Sequence, residues 1–374
     1  MDVAVTGAGV VGAAIARRLA ETGVRVTVLE ASDFAVGASG ANMGQLSLSD
    51  REPCVHLDLA RDSLAEYRGE TADIGYREDG GSIVLTAPDQ LEPMRRLVAR
   101  QRARGLDVRL VPPGEAARAE PHICPTALEG LAWCPQEGQV DPLALTALYL
   151  DRAAAAGADV RWHTPVIGWE WDASGSRLTA ALTPQGPVRA GEFVLAAGAW
   201  TRELAALAGV ELPIGYHRGA LLVTHPAPPT LRGPVVGGGF LTPAFVRENS
   251  HVEIGLIQRV NGSIIIGQST RHVEGYDTAL VPGELGALCS RFVKLFPSLA
   301  GVEAVRAWAG VTPFTADRLP VFGPCRRPGN LFVAASFKGA LSVAPAVGRH
   351  AAAAIRSGRM PREFAPFSPA RFGA

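Results

Sequence analysis

Lysine is nearly missing from this chain of 374 residues: Lys294 and Lys338 stand among 36 basic side chains, and the rest are arginine. The skew fits GC-rich coding and carries little functional weight. Neither sign of charge is in excess, because 36 acidic residues balance the basic ones. That balance argues against the broad basic surface that binds nucleic acid or anionic membranes. Cysteine is scarce, and Cys54, Cys124, Cys134, Cys289 and Cys325 include no Cys-x-x-Cys pair. Such a set makes neither a disulfide framework nor a zinc or iron–sulfur site, and a reducing compartment is expected. No apolar run reaches the ~20 residues that span a bilayer. The first strand begins almost at residue 1 and leaves no room for a signal peptide, so a cytoplasmic protein is expected. Repeats and long low-complexity tracts are lacking as well.

What is present is an ordinary globular composition, 47% hydrophobic and 19% charged. The length exceeds a comfortable single core, so two interleaved domains are expected. Residues 3–6 form a short β-branched run that reads as a buried strand. Gly7-x-Gly9-x-x-Gly12 follows and opens an Ala-rich amphipathic helix, with Val10 and Val11 at its start. Residues 24–29 read as a second buried strand leading into Glu30 and Ala31. Gly7 permits the tight turn, Gly9 the approach of a pyrophosphate, and Gly12 close packing of helix on strand. The free N–H groups of the helix start then hold the anion. Glu30 is placed to accept hydrogen bonds from a ribose 2′-hydroxyl, which points away from NADP.

Beyond Glu30, a second helix and parallel strand would continue an NAD-binding unit. Instead "ASDFAVGASGANMGQLSLSD" is a loop of small residues, suited to backbone contacts with a larger dinucleotide, FAD. Residues 50–70 show helical spacing through Leu57, Leu64 and Tyr67. Residues 80–87 read as a strand, 90–105 as an exposed helix and 111–137 as irregular. Asp141 and Pro142 introduce a helix reaching Gly157. Strands of a hairpin or meander are expected over 158–188, then "EFVLAAGAW", then alternating strands over 211–270 with Asn261-Gly262 as a turn. A helix is expected over 283–296. The last third reads as a strand, a loop over 336–344 and a helix with Pro345 in its first position and Gly358 as its stop.

Five ordered motifs carry a resemblance: "GAGVVG" with Glu30, "ASGANMGQLS", "EFVLAAGAWT", "WAGVTPFTADRLPVFGP" and "LFVAASFKGALSVAPAVGR". Together they resemble the D-amino-acid oxidase/glycine oxidase family of FAD enzymes over essentially the whole chain. The resemblance implies a mixed α/β fold, with a Rossmann-like FAD-binding domain interleaved with a mainly antiparallel-sheet substrate domain. The first would comprise 1–75, 136–210 and 305–374, the second 76–135 and 211–304. By the same match Val166 contacts adenine, Ser39 and Gly44-Gln45 lie along the pyrophosphate and flavin, and Gly198 sits beside the dinucleotide. Ser336, Phe337, Lys338, Gly339, Ala340, Leu341 and Ser342 would wrap the flavin ring. The helix that follows would favour negative charge on the reduced ring.

The family chemistry is hydride transfer from the carbon beside an amine to flavin N5, leaving an imine. It implies no acid–base residue and no metal, and none of the eight histidines is assigned a role. The FAD is expected to be non-covalent, because the sarcosine oxidase attachment position is Ala309 here.

The chain departs from the family at the substrate side. Gly310-Val311-Thr312-Pro313 replaces a G-x-R-P whose Arg grips the substrate carboxylate, and one hydroxyl is no substitute for a charged fork. Lys338 replaces a second Arg and is a candidate carboxylate partner. Gly255 stands where the family has a Tyr. Gln45, Glu253 and Arg247 are further candidates for the pocket. "ASGANMGQLS" and "LAWCPQEGQVDPLAL" are also similar to FAD subunits of opine, hydroxyproline and cyanide-forming glycine dehydrogenases, which work with iron–sulfur partner chains. Partner electron-transfer subunits or a homo-oligomer therefore stand as expectations beside a small-molecule amine substrate. The rival readings are an NAD-dependent dehydrogenase and a non-catalytic flavoprotein.

Overall fold

The computed structural model describes residues 1–242 and 250–373. A six-stranded sheet runs in the order Val321–Pro324, Leu331–Ala335, Glu192–Leu195, Asp2–Thr6, Arg25–Leu29, Asp159–Arg161. All its pairings are parallel except that of Val321–Pro324 with Leu331–Ala335. Asp2–Thr6 lies at the centre, where Val3, Ala4, Val5 and Thr6 are all buried, as in a strand covered on both faces.

Helices Val10–Ala20, Pro142–Ala155 and Ala340–Ser357 pack together over this sheet. Gly348 allows their close approach, since a Cβ there would lie 2.6 Å from the Ala14 carbonyl oxygen. Asp141 caps the second helix as expected, its Oδ1 accepting from the Leu143 and Ala144 amides at 2.8 and 3.0 Å.

An eight-stranded sheet forms the second layer. Its order is Ala304–Thr315, Ile214–Pro226, Ser263–Val273, Ser250–Gln258, Val235–Gly237, Gly81–Leu85, Gly130–Cys134, Arg109–Val111. Only the pairing of Val235–Gly237 with Gly81–Leu85 is parallel. Helix Pro282–Leu295 covers one face through Leu288, Phe292 and Leu295. The other face meets residues 38–45: the Trp308 indole donates to the Ala41 carbonyl at 3.1 Å, and Met43 packs on Leu221, Ile257 and Ile265. The mixed fold thus agrees with expectation.

Several local readings need correction. Gly130–Cys134 is a fully paired strand inside the stretch expected to be irregular. The run is too short, and too closely flanked by Pro and Gly, for periodicity to reveal it. Asp159–Arg161 joins the six-stranded sheet, and only Gly168–Trp171, Leu178–Thr183 and Gly186–Arg189 form the meander. Ala304–Thr315 pairs with Ile214–Pro226 along its length and so belongs to the large sheet.

The last helix starts at Ala340, five residues before Pro345. A proline inside a helix leaves the carbonyl four residues earlier without its amide donor. Here that carbonyl is Leu341 O, and the Tyr67 hydroxyl donates to it at 2.6 Å. The usual cost of the proline is thereby offset.

Candidate cofactor and substrate site

The glycine turn has the shape its spacing implies. Gly7 sits at φ +102, and a Cβ on it would come within 2.6 Å of the Ala196 carbonyl oxygen. A side chain on Gly12 would collide with the Gly7 carbonyl, and one on Gly9 would approach Ser39 Oγ at 3.1 Å. The helix that begins with Val10 and Val11 receives no cap from its own N-cap residue. Ser39 does this from another loop, its Oγ accepting from the Val10 amide at 3.0 Å. Glu30 accepts from the Ala8 amide at 2.8 Å and the Ser32 amide at 3.0 Å, which fixes the chain around Ala31.

Val166 is buried in the same apolar cluster as Leu29 and Ala4, and Ala196 and Gly198 (φ +54) follow directly on the Glu192–Leu195 strand. Gly7, Gly9, Val10, Gly12, Glu30, Ser39, Val166 and Gly198 are therefore gathered at the carboxyl edge of the parallel sheet, where open α/β sheets bind ligands. The cradle fits a dinucleotide: small residues leave room for it, and the helix start supplies donors for phosphate.

Two further segments extend the cradle toward the large sheet. Gly44 (φ +104) lies against the Val140 carbonyl, and Gln45 pairs with Gln139. In the 336–342 segment, Ser336 (φ +60) and Gly339 (φ +58) both take left-handed conformations, and Ala340, Leu341 and Ser342 make the first helical turn. Phe337 packs edge-on to Phe322. Ser336 Oγ is buried and has no hydrogen-bond partner among the described residues, a donor left over for a ligand. Ser342 Oγ accepts from the Ser47 amide at 2.9 Å and so ties the two segments together.

The group that sets the 336–342 turn is one that spacing in the sequence does not reveal. Arg51, only 3% exposed, donates to the carbonyls of Lys338 (2.8 Å), Gly339 (3.4 Å) and Ser47 (3.1 Å), and lies 3.0 Å from His56 Nε2. Burial first, and then the neighbouring guanidinium, hold His56 well below the usual imidazole range. Its neighbour Asp50 holds the Lys338 ammonium at 2.9 Å, and that ammonium also sits 4.9 Å from the Phe240 ring centre. Burial alone would raise the Asp50 carboxyl, but Lys338 and Arg51 more than offset it and lower its pKa below the ordinary carboxylate range. Lys338 thus already has an anionic partner.

Beneath them Glu137 accepts from the Leu48 and Ser49 amides, both at 2.5 Å, and from Ser49 Oγ at 2.8 Å. Full burial still pushes its pKa up to about 7. The signal that could have found this group is a charged pair, Asp50-Arg51, directly following an apolar, small-residue loop.

The substrate-side candidates are scattered. Thr312 is exposed, and its hydroxyl donates to the His217 carbonyl at 3.3 Å. Glu253 is folded into the turn at Gly237–Gly239, where it accepts from the amides of Gly239 and Ile254, and burial raises its pKa. Gly255 lies under Met43, with its missing Cβ only 2.9 Å from the methyl carbon, so the family's Tyr has no room there. Arg247 lies outside the described residues. No helix among the described residues is long and apolar enough to cross a membrane.

Comparison with known proteins agrees with this geometry. A family model described as "DAO: FAD dependent oxidoreductase" matches residues 2–354. A glycine oxidase of Geobacillus kaustophilus (strain HTA426) is 30% identical over 381 residues, covering 99% of this chain and 97% of the relative. An opine oxidase subunit of Rhizobium meliloti is 27% identical over 400 residues, covering 100% and 98%. The crystal structure of glycine oxidase from Geobacillus kaustophilus superposes with a TM-score of 0.87 at 28% identity, covering 99% and 98%. A chain with this glycine cradle and this two-sheet fold, matched by the model almost end to end, belongs to the DAO family of FAD-dependent oxidoreductases.

Proposed function

We propose that this protein oxidises an amino acid or N-substituted amino acid at the carbon beside nitrogen, with FAD held non-covalently. The observation that carries the reading is that one segment, residues 38–47, is tied both to the 336–342 turn, through the Ser47 amide on Ser342 Oγ, and to the Ala304–Thr315 strand of the large sheet, through the Ala41 carbonyl. Bound FAD supplies a hydride acceptor at N5, and the amine leaves as an imine that water hydrolyses.

The chain's own part is to bind, orient and exclude water. Gly7, Gly9, Gly12 and the helix-start amide of Val11 would hold the pyrophosphate, Glu30 the ribose and Val166 the adenine. Ser336 Oγ would donate to the flavin, while Arg51 and Asp50 fix the turn that presents it. The Met43–Trp308 layer closes the sheet side. The cofactor part comprises residues 1–75, 136–210 and the region after Thr315, and the large sheet with its helix forms the substrate part.

A second reading, a flavin subunit that hands electrons to a partner, is favoured by the full-length likeness to the opine oxidase subunit. Both readings are tested by titrating the purified flavoprotein anaerobically with D-, L- and N-alkyl amino acids. Bleaching of the flavin by one of them supports amine oxidation, and failure of every one overturns it. Rapid recovery of colour on admitting air favours an oxidase, and slow recovery favours a partner acceptor.

A further inference from the structure

The face of the large sheet that looks toward residues 38–45 carries one more group of side chains. Residues opposite one another in an antiparallel ladder share a face, as do residues two apart on one strand. Thr312 is opposite His217, His217 is opposite His272, and Phe314 lies two residues beyond Thr312. Gly215 makes room for Phe314, because a Cβ there would lie 2.9 Å from its ring. Phe314 stacks flat on His217, centroids 3.6 Å apart and planes within 9°. His272 stands edge-on to both rings, at 6.0 and 5.5 Å.

His217 is partly buried, whereas His272 and Thr312 are exposed, so the cluster opens outward. Among the described residues, the titratable and charged groups that act on His217 are His272 on the Ser263–Val273 strand, His251 on the Ser250–Gln258 strand and Arg318 beyond the Ala304–Thr315 strand. These three are basic. Burial first, and then these neighbours, push the His217 pKa down to about 4.

We propose that His217 and His272, beside Thr312, are the specificity-determining receptor for the substrate's carboxylate, which binds there together with one proton taken from water. The inference rests on the amine-oxidase reading and adds what holds the anionic end. A guanidinium at Thr312 would carry a permanent charge. His217, held low by burial and its neighbours, becomes cationic only when an anion arrives to balance it, so no half-buried unpaired charge stays on that imidazole between turnovers. No bond in the substrate breaks in this step, and the proton returns to water when the carboxylate leaves.

The test is binding of benzoate, which has no oxidisable carbon beside nitrogen, to the holoprotein by calorimetry in two buffers of different ionisation enthalpy. Benzamide serves as the neutral control. The benzoate Kd is expected to rise by close to tenfold per pH unit between about pH 5 and 7, with about one proton taken up, while benzamide binds weakly and without a slope. The double variant His217→Gln/His272→Gln, and each single variant, should keep its flavin spectrum and lose the slope and the proton uptake. A flat wild-type profile, equal binding of benzamide, no benzoate binding, or a slope that survives in the double variant overturns the inference. Flavin reduction by an amino acid together with pH-independent benzoate binding overturns this inference alone. Proton-linked benzoate binding with no reducing amine overturns the amine reading alone.

Discussion

Replacing Arg51 by methionine is the most direct probe of how the flavin-side turn is held. The side chain is almost fully buried, and its fork serves the carbonyls of Ser47 and Lys338 at 3.1 and 2.8 Å, with Gly339 more weakly at 3.4 Å. An orphaned buried acceptor costs about 1–3 kcal/mol, so two of them cost about 3 kcal/mol when methionine fills the volume. The full cost of breaking a buried ion pair, about 3–5 kcal/mol, is not added, because Lys338 still faces Asp50 at 2.9 Å. With an unfolding entropy of about 2.1 cal/mol/K per residue over 374 residues, 3 kcal/mol lowers the melting temperature by about 4 °C.

FAD affinity should fall as well, because the left-handed turn at Ser336 and Gly339 then lacks its clamp, and apoprotein titration measured by flavin fluorescence reads it. Arg51→Lys should recover some stability but less of the affinity, since one ammonium cannot reach two carbonyls with the geometry of a fork. An Arg51→Met protein with unchanged melting temperature and unchanged FAD Kd would refute this account of the turn.

Gly7→Ala should abolish FAD retention on gel filtration, because φ +102 and the Ala196 carbonyl leave no place for a methyl group; retained flavin would contradict the cradle. Tyr67→Phe should cost about 1–2 kcal/mol in chemical denaturation by orphaning Leu341 O in front of Pro345, and no change would show that the proline is tolerated for another reason. Glu137 supplies a pH prediction. Its folded-state pKa of about 7 exceeds the unfolded value of about 4.5, so the folded protein holds the proton more tightly. Stability should therefore fall as pH rises from about 4.5 to 7, by about 3 kcal/mol, and level off above. Glu137→Gln should flatten that part of the profile, and a superimposable profile would show that the carboxyl ionises normally. Thr312→Arg should tighten benzoate binding at pH 8 by about tenfold or more, the worth of a charge-assisted pair, and remove most of its pH dependence; unchanged affinity would place Thr312 away from the anion.

Much of the fold is legible in the sequence wherever a local rule has no rival. The nucleotide-binding turn can be read because Gly7 and Gly12 have steric reasons that no side chain satisfies, and Gly9 leaves little room beside Ser39 Oγ. Asp141 can be read because a capping carboxylate and a following proline act within one turn of chain. The misreadings come where the deciding partner is far away in sequence. Gly130–Cys134 is a strand because Gly81–Leu85 and Arg109–Val111 bracket it. The last helix runs through Pro345 because Tyr67, far earlier in the chain, supplies the missing donor.

The candidate site divides along the same line. Its glycines and Glu30 announce themselves through spacing, but the residues that shape it do so through long-range contacts. Arg51 looks like one of many surface arginines until the chain folds and buries its fork under Lys338 and Gly339. His217 reads as a lone histidine, since His225, the other imidazole of its strand, lies eight residues further on. Only the register that places it opposite both Thr312 and His272 makes it part of a cluster. Thr312 marks the loss of a guanidinium, which a single sequence can display. The place where compensating charge could arise depends on strand order, because the two imidazoles are 55 residues apart in the chain and adjacent only across the ladder.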